Sequence, residues 1–152
     1  MSDAPGANDN PPPPGVTAEG AVQFANELLA GTVMEKLGME FLEVGLNRMV
    51  ARVPVEGNTQ PYGILHGGVT ATLCEGLASF GTSIHAGLEN MVTGIELNVN
   101  HIRAARSGHV TCTGIPLHVG RSTAVWDMKV HDDEGRLVAA SRLTLMIRPT
   151  SR

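Results

Sequence analysis

The chain has 152 residues, 42% hydrophobic and 17% charged, with a net charge of −4, a size that suits one domain with its own core and is short for two. That charge argues against general nucleic-acid binding, which needs a basic face for phosphates, and no apolar run approaches the roughly 18 residues of a membrane span. So few charges hint that part of the surface is covered by another copy of the chain.

Residues 1–16 hold Pro5, the run Pro11 to Pro14 and almost nothing apolar. Such a segment cannot offset its ordering entropy and reads as a disordered, extended tail. Residues 17–34 read as an N-terminal helical segment. Thr17 is its expected N-cap, Val22, Ala25, Leu28 and Leu29 follow at helical spacing to about Ala30, and Gly31 closes it. From Met39 to Val55 the pattern alternates, which predicts two strands joined near residues 45–47.

The segment His66 to Ile84, HGGVTATLCEGLASFGTSI, carries Leu73, Leu77, Phe80 and Ile84 at helical spacing. Its other faces hold small residues and one formal charge, Glu75. A surface helix would be charged on its outer face, so this helix is expected to be wrapped by protein on most sides. A carboxylate there is costly unless paired, protonated or useful. The bland reading is a salt bridge to an arginine; the functional one is a nucleophile or base. Ser79, at i+4, shares its face. His66-Gly67-Gly68 opens the helix, where the first N–H groups lack partners and side-chain-free glycines let a ligand oxygen approach. A polarised carbonyl needs such a place.

After Gly87 the chain predicts strands over residues 92–103, 109–119, 123–131 and 137–147, separated by turns. The plan is α+β: two strands, a long helix and four more antiparallel strands, with one curved sheet around one central helix. Arg103 closes a strand and Arg121 lies in a turn, so both can reach a sheet rim; with Arg106 they concentrate basic charge in the middle third. Trp126 and Leu117 read as core, and His85, His109 and His131 as surface residues without metal-ligand spacing. Cys74 and Cys112 show no C-x-x-C pattern and read as reduced thiols. With no secretory signal at the N-terminus, the cytoplasm is expected.

The stretch QPYGILHGGVTATLCEGLAS, residues 60–79, resembles the PaaI-like thioesterases of the hotdog superfamily. It is most similar to the group of 1,4-dihydroxy-2-naphthoyl-CoA hydrolase and 4-hydroxybenzoyl-CoA thioesterase. The likeness continues through VTGIELNVNHIRAARSG, PLHVGRSTAVW and DDEGRLVAASRLT, and residues 35–148 are expected to form the hotdog domain. The resemblance implies that Glu75 is nucleophile or general base and that the Gly67 N–H polarises the thioester carbonyl. It places His66 and Gln60 in the same pocket and Ser79 beside the carboxylate, where the hydroxybenzoyl enzyme has threonine. It assigns Gly94, the run His101, Ile102, Arg103, Ala104 and the run His118, Val119, Gly120, Arg121, Ser122, Thr123 to the CoA portion.

Independently of the family, an acidic protein needs local arginines to hold the phosphates of coenzyme A. The expectation is an acyl-CoA hydrolase, acting on aryl or medium-chain acyl groups without metal or redox cofactor. It works as a homodimer at least, with a homotetramer (a dimer of dimers) expected. The rivals are hotdog hydratase or dehydratase chemistry, which would use His66 with a carboxylate, and a non-catalytic acyl-CoA sensor.

Overall fold

In the computed structural model, residues 18–150 are described; the expected tail over residues 1–16 and the expected cap Thr17 lie outside them. Helix α1 (Ala18–Glu27) buries Ala25 at its inner face. It ends three residues before the expected Ala30, because the last turn tightens: Leu29 N–H donates to Asn26 O and Ala30 N–H to Glu27 O. Asn26 then clasps β1 (Glu40–Val44) from both sides, its amide donating to Phe41 O at 3.0 Å and its oxygen accepting from Phe41 N at 2.8 Å. Between them lies α2 (Val33–Lys36), a single turn that the sequence reading left unassigned, capped by Thr32 Oγ1.

The strands β1, β2 (Met49–Pro54), β3 (Asn90–His101), β4 (His109–Val119), β5 (Thr123–Asp132) and β6 (Leu137–Pro149) form one antiparallel sheet in the order β1-β2-β4-β5-β6-β3. In β6 Ala139, Ser141, Leu143, Leu145 and Ile147 alternate inward, the period of a strand with one covered face. The remaining helix, α3 (Gly67–Ala86), lies on that inner face. It presents Val69, Thr70, Leu73, Cys74, Leu77, Ala78, Gly81 and Thr82 to the sheet, and Gly87 stops it with φ of 91°.

Small residues bring helix and sheet close. A methyl group at Gly81 would lie 2.5 Å from the ring of Trp126. That indole is fully buried and donates to Thr82 Oγ1 at 2.9 Å, so burial and a satisfied N–H act together at the centre of the core.

Two residues stand out against expectation. First, the single chain buries or half-buries all of α3 except Gly68 and Glu75, so the one carboxylate of the covered helix is itself exposed. Second, Leu117 is 56% exposed: it is the extra residue of a bulge between Pro116 and His118, where β4 loses register with β5.

β3 is the other notable element. Its outer edge has no neighbour among the described residues, although it is 12 residues long and carries the exposed Met91 and Ile95. An open edge of that length is a template for another strand.

Candidate active site

Glu75 stands midway along α3, on the side that leans toward β3. Among the described residues it forms no ion pair, so the structural-salt-bridge reading has nothing to support it. Its carboxylate is seated against Gly94: a Cβ built there would lie 2.8 Å from Glu75 Oε1 and 3.4 Å from Leu143 Cδ1. The missing side chain of Gly94 is thus what admits the carboxylate to this position. Since Gly94 lacks a positive φ, alanine fits its backbone and the effect falls on Glu75. Gly94→Ala is expected to lower kcat by about tenfold or more with KM little changed, a loss of about 1.4 kcal/mol of transition-state stabilisation. Steady-state kinetics beside a thermal melt checks this; an equal fall for Gly94→Ala and a remote, equally destabilised variant would remove the seating role.

The start of α3 supplies the second part. His66 caps the helix, its Nδ1 accepting from Gly68 N at 2.9 Å. The Gly67 N–H, by contrast, has no acceptor among the described residues. A free donor at a helix N-terminus, in the field of the helix dipole, suits a developing oxyanion. The ring of His101 lies against Gly67, with Nε2 2.8 Å from where a Cβ would stand.

Gln60, Gly67, His101, Ile102, Arg103 and Ala104 share one cleft of about 350 Å³. Its wall is held by the buried Asn58, whose side-chain amide donates to Leu37 O and Pro54 O while its backbone carbonyl accepts from His66 N–H. The cleft therefore joins six of the expected residues. His66 is exposed beside it, acting on the backbone of Gly68.

Glu75 and Ser79 open into a different cleft, of about 540 Å³, between α3 and the α1–α2 segment. No hydrogen bond joins the two side chains; Ser79 O instead accepts from Ser83 Oγ. Eight residues of helix separate Gly67 from Glu75, about 12 Å along the axis, and a glutamate side chain spans only about 4 Å of that. One chain holds both chemical groups but does not bring them together.

The basic residues are divided in the same way. Arg103 N–H donates to Val138 O at the start of β6, whereas Ile147 N–H, near its end, donates to Ser122 O in the turn containing Arg121. The two anchor points are nine residue steps apart along the strand, about 30 Å. Each arginine lies at a rim of the sheet, and the two rims are its opposite ends. His118, Val119, Gly120, Ser122 and Thr123 travel with Arg121, and the His118 ring folds over Gly120.

The other titratable groups fall elsewhere. His85 is partly buried rather than a surface residue, with Nε2 2.5 Å from Leu46 O and its ring edge-on to Trp126. Cys74 and Cys112 are buried and unlinked, with sulfurs 3.8 Å apart. Their contact lowers the Cys74 pKa and, with burial, raises that of Cys112.

Comparison with known proteins gives this arrangement its context. The family model described as the thioesterase superfamily matches residues 62–139. The 1,4-dihydroxy-2-naphthoyl-CoA hydrolase of Escherichia coli is 37% identical over 83% of this chain and 93% of its own. A solved thioesterase of Pseudomonas aeruginosa, a glutamine-to-alanine variant, superposes with a TM-score of 0.82 at 31% identity, covering 85% of this chain and 94% of that one. Two solved variants of a Staphylococcus aureus thioesterase match at a TM-score of 0.75 and 34% identity, over 77% and 78% of this chain and 98% and 99% of theirs. One replaces a glutamine and the other a glutamate fifteen positions further on, the spacing of Gln60 and Glu75 here.

Proposed function

The chain belongs to the thioesterase superfamily and is a thioester hydrolase, and we propose that it acts on the CoA thioesters of aryl or medium-chain acids at a site completed by a second copy of itself. The observation that carries the reading is the division just described: a free Gly67 N–H and an unpaired Glu75 carboxylate on one helix, opening into two clefts. An antiparallel pairing of two β3 edges about their centre, near residues 97–98, sets His101 of one copy opposite Gly94 of the other. The second copy's Glu75 then approaches the first copy's Gly67, and its Arg121 turn approaches the end where Arg103 lies. Both divisions are resolved by one two-fold axis.

The reaction adds water to the thioester and releases the carboxylic acid and the CoA thiol. Gly67 N–H holds the carbonyl oxygen as charge develops on it. Glu75 either attacks the carbonyl carbon or takes a proton from the attacking water, and Gln60 lines the carbonyl side of the cleft. Water, thioester and carboxylate complete the chemistry without metal or redox cofactor.

The sheet's outer face leaves Met91, Ile115 and Leu117 exposed, a second apolar surface that supports a dimer of dimers. No helix among the described residues is long and apolar enough to cross a membrane. Two thiols left unlinked at 3.8 Å support action in the reducing cytoplasm.

Incubation with a panel of acyl-CoA esters and a thiol reagent tests the reading: free thiol is released by a hydrolase, while a sensor binds without release and a hydratase alters the acyl chain instead. Arg103→Ala and Arg121→Ala are expected to raise KM for CoA esters by about tenfold, to weaken its dependence on salt and to leave kcat nearly intact. Acyl-pantetheine, which lacks the nucleotide, should be insensitive to both changes. Equal losses on the two substrates would mean that these arginines do not hold phosphate.

A further inference from the structure

The cleft beside Glu75 has two walls of different origin. One is the outer side of α3, including Gly76 and Ser79; the other is built from Leu28, Leu29, Val33 and Met34 of the α1–α2 segment. That segment precedes residues 62–139, which the superfamily model matches, although the alignments with relatives extend into it. We propose that it is the element that selects the acyl group, admitting uncharged aryl and medium-chain groups and rejecting acyl groups that carry a second carboxylate. The inference rests on the thioesterase reading above and adds to it a substrate preference with named residues.

Three observations support it. First, the cleft is continuous with the reacting carboxylate, since Glu75 lines it, and its volume of about 540 Å³ falls within the roughly 300–1,000 Å³ usual for small-molecule sites. Second, Glu75 is the sole ionisable side chain among the described residues that line it. A second carboxylate on the substrate would meet a like charge and no cation from this wall, and leaving a charge unpaired against apolar side chains is costly.

Third, the wall is fixed in place rather than draped. The Asn26 clasp ties α1 to β1, Thr32 caps α2, and Met39 N–H donates to Met34 O. Met34 also packs on α3 at Gly76, where an added Cβ would stand 3.3 Å from Met34 Cγ. A preformed wall discriminates by shape because it does not yield to a misfit substrate.

The test compares hexanoyl-, decanoyl-, acetyl- and glutaryl-CoA on the full-length enzyme and two variants. Wild type is expected to favour hexanoyl- over glutaryl-CoA by about a hundredfold or more in kcat/KM. Val33→Arg places a cation at a position 54% exposed, so the fold tolerates it, and should narrow that ratio by about tenfold. Met34→Trp fills the cleft and should cost decanoyl-CoA about tenfold more than acetyl-CoA; if circular dichroism shows it misfolded, Leu28→Trp at the half-exposed rim replaces it.

Indifference of the wild type to the second carboxylate overturns the proposal, as do variants that scale every substrate by one factor. Failure of the functional reading looks different: wild type then hydrolyses none of the four esters, and the selecting role falls with it.

Discussion

Glu75→Gln is expected to lower kcat by about two to four orders of magnitude while substrate binding is largely retained. The substitution preserves size and shape and removes only the ability to attack the carbonyl or accept a proton. It should leave the fold intact, because Glu75 is exposed in the single chain and forms no ion pair among the described residues. The glutamine amide fits the space above Gly94 that the carboxylate occupies. Single-turnover measurements with saturating enzyme isolate the chemical step, and a thermal melt checks stability. A variant retaining more than about a tenth of wild-type turnover under those conditions would end the assignment.

Two inactive proteins should together make an active one. Glu75→Ala removes the carboxylate, and Gly67→Pro removes the N–H at the first residue of α3, where proline's φ is tolerated. The ring of His101, lying where the new side chain goes, must swing aside, so the fold of this variant is verified by circular dichroism. Gln60→Ala, in the same cleft, serves as a second partner for Glu75→Ala.

After subunit exchange in an equal mixture, half the dimers are mixed. Each mixed dimer has one site with both defects and one with neither, so about a quarter of wild-type activity should return. The magnitude is diagnostic, since sites confined to one chain predict no recovery at all. Exchange is confirmed by mass spectrometry of differently tagged copies; mixtures that exchange and stay inert would refute the shared site.

The sequence made the chemical groups legible and left their placement obscure. Glu75 stood out because a charge-poor helix makes a single carboxylate conspicuous, and the strands followed from period-two alternation that the structure keeps almost residue for residue. Charge poverty has two causes, however: burial beneath the chain's own sheet or a surface suited to another copy. Composition cannot separate them, so the sequence predicts a helix wrapped by protein without telling which residues, Glu75 among them, the single chain leaves exposed.

Strand order was likewise hidden. The sheet sets β5 and β6 between β4 and β3, and β4, which lies between Arg103 and Arg121 in sequence, runs the length of the sheet, sending the two arginines to opposite ends. A local signal existed for α2, since Thr32 and Glu35 stand at the spacing of a helix cap. The helical pattern ending at Gly31 obscured it. The seat that Gly94 offers Glu75 left no local trace, because it depends on a contact between residues 19 positions apart.

The open edge of β3 also bears on how much activity a given amount of protein has. With the proposed pairing, the number of working sites follows the square of free-chain concentration when the protein is dilute and becomes proportional to total protein when it is concentrated. Specific activity would then fall on dilution and recover on concentration, with a lag set by the encounter of two chains. A newly made chain would be harmless to the cell's thioesters until it met another, and the onset of hydrolysis would report on the abundance of the enzyme itself.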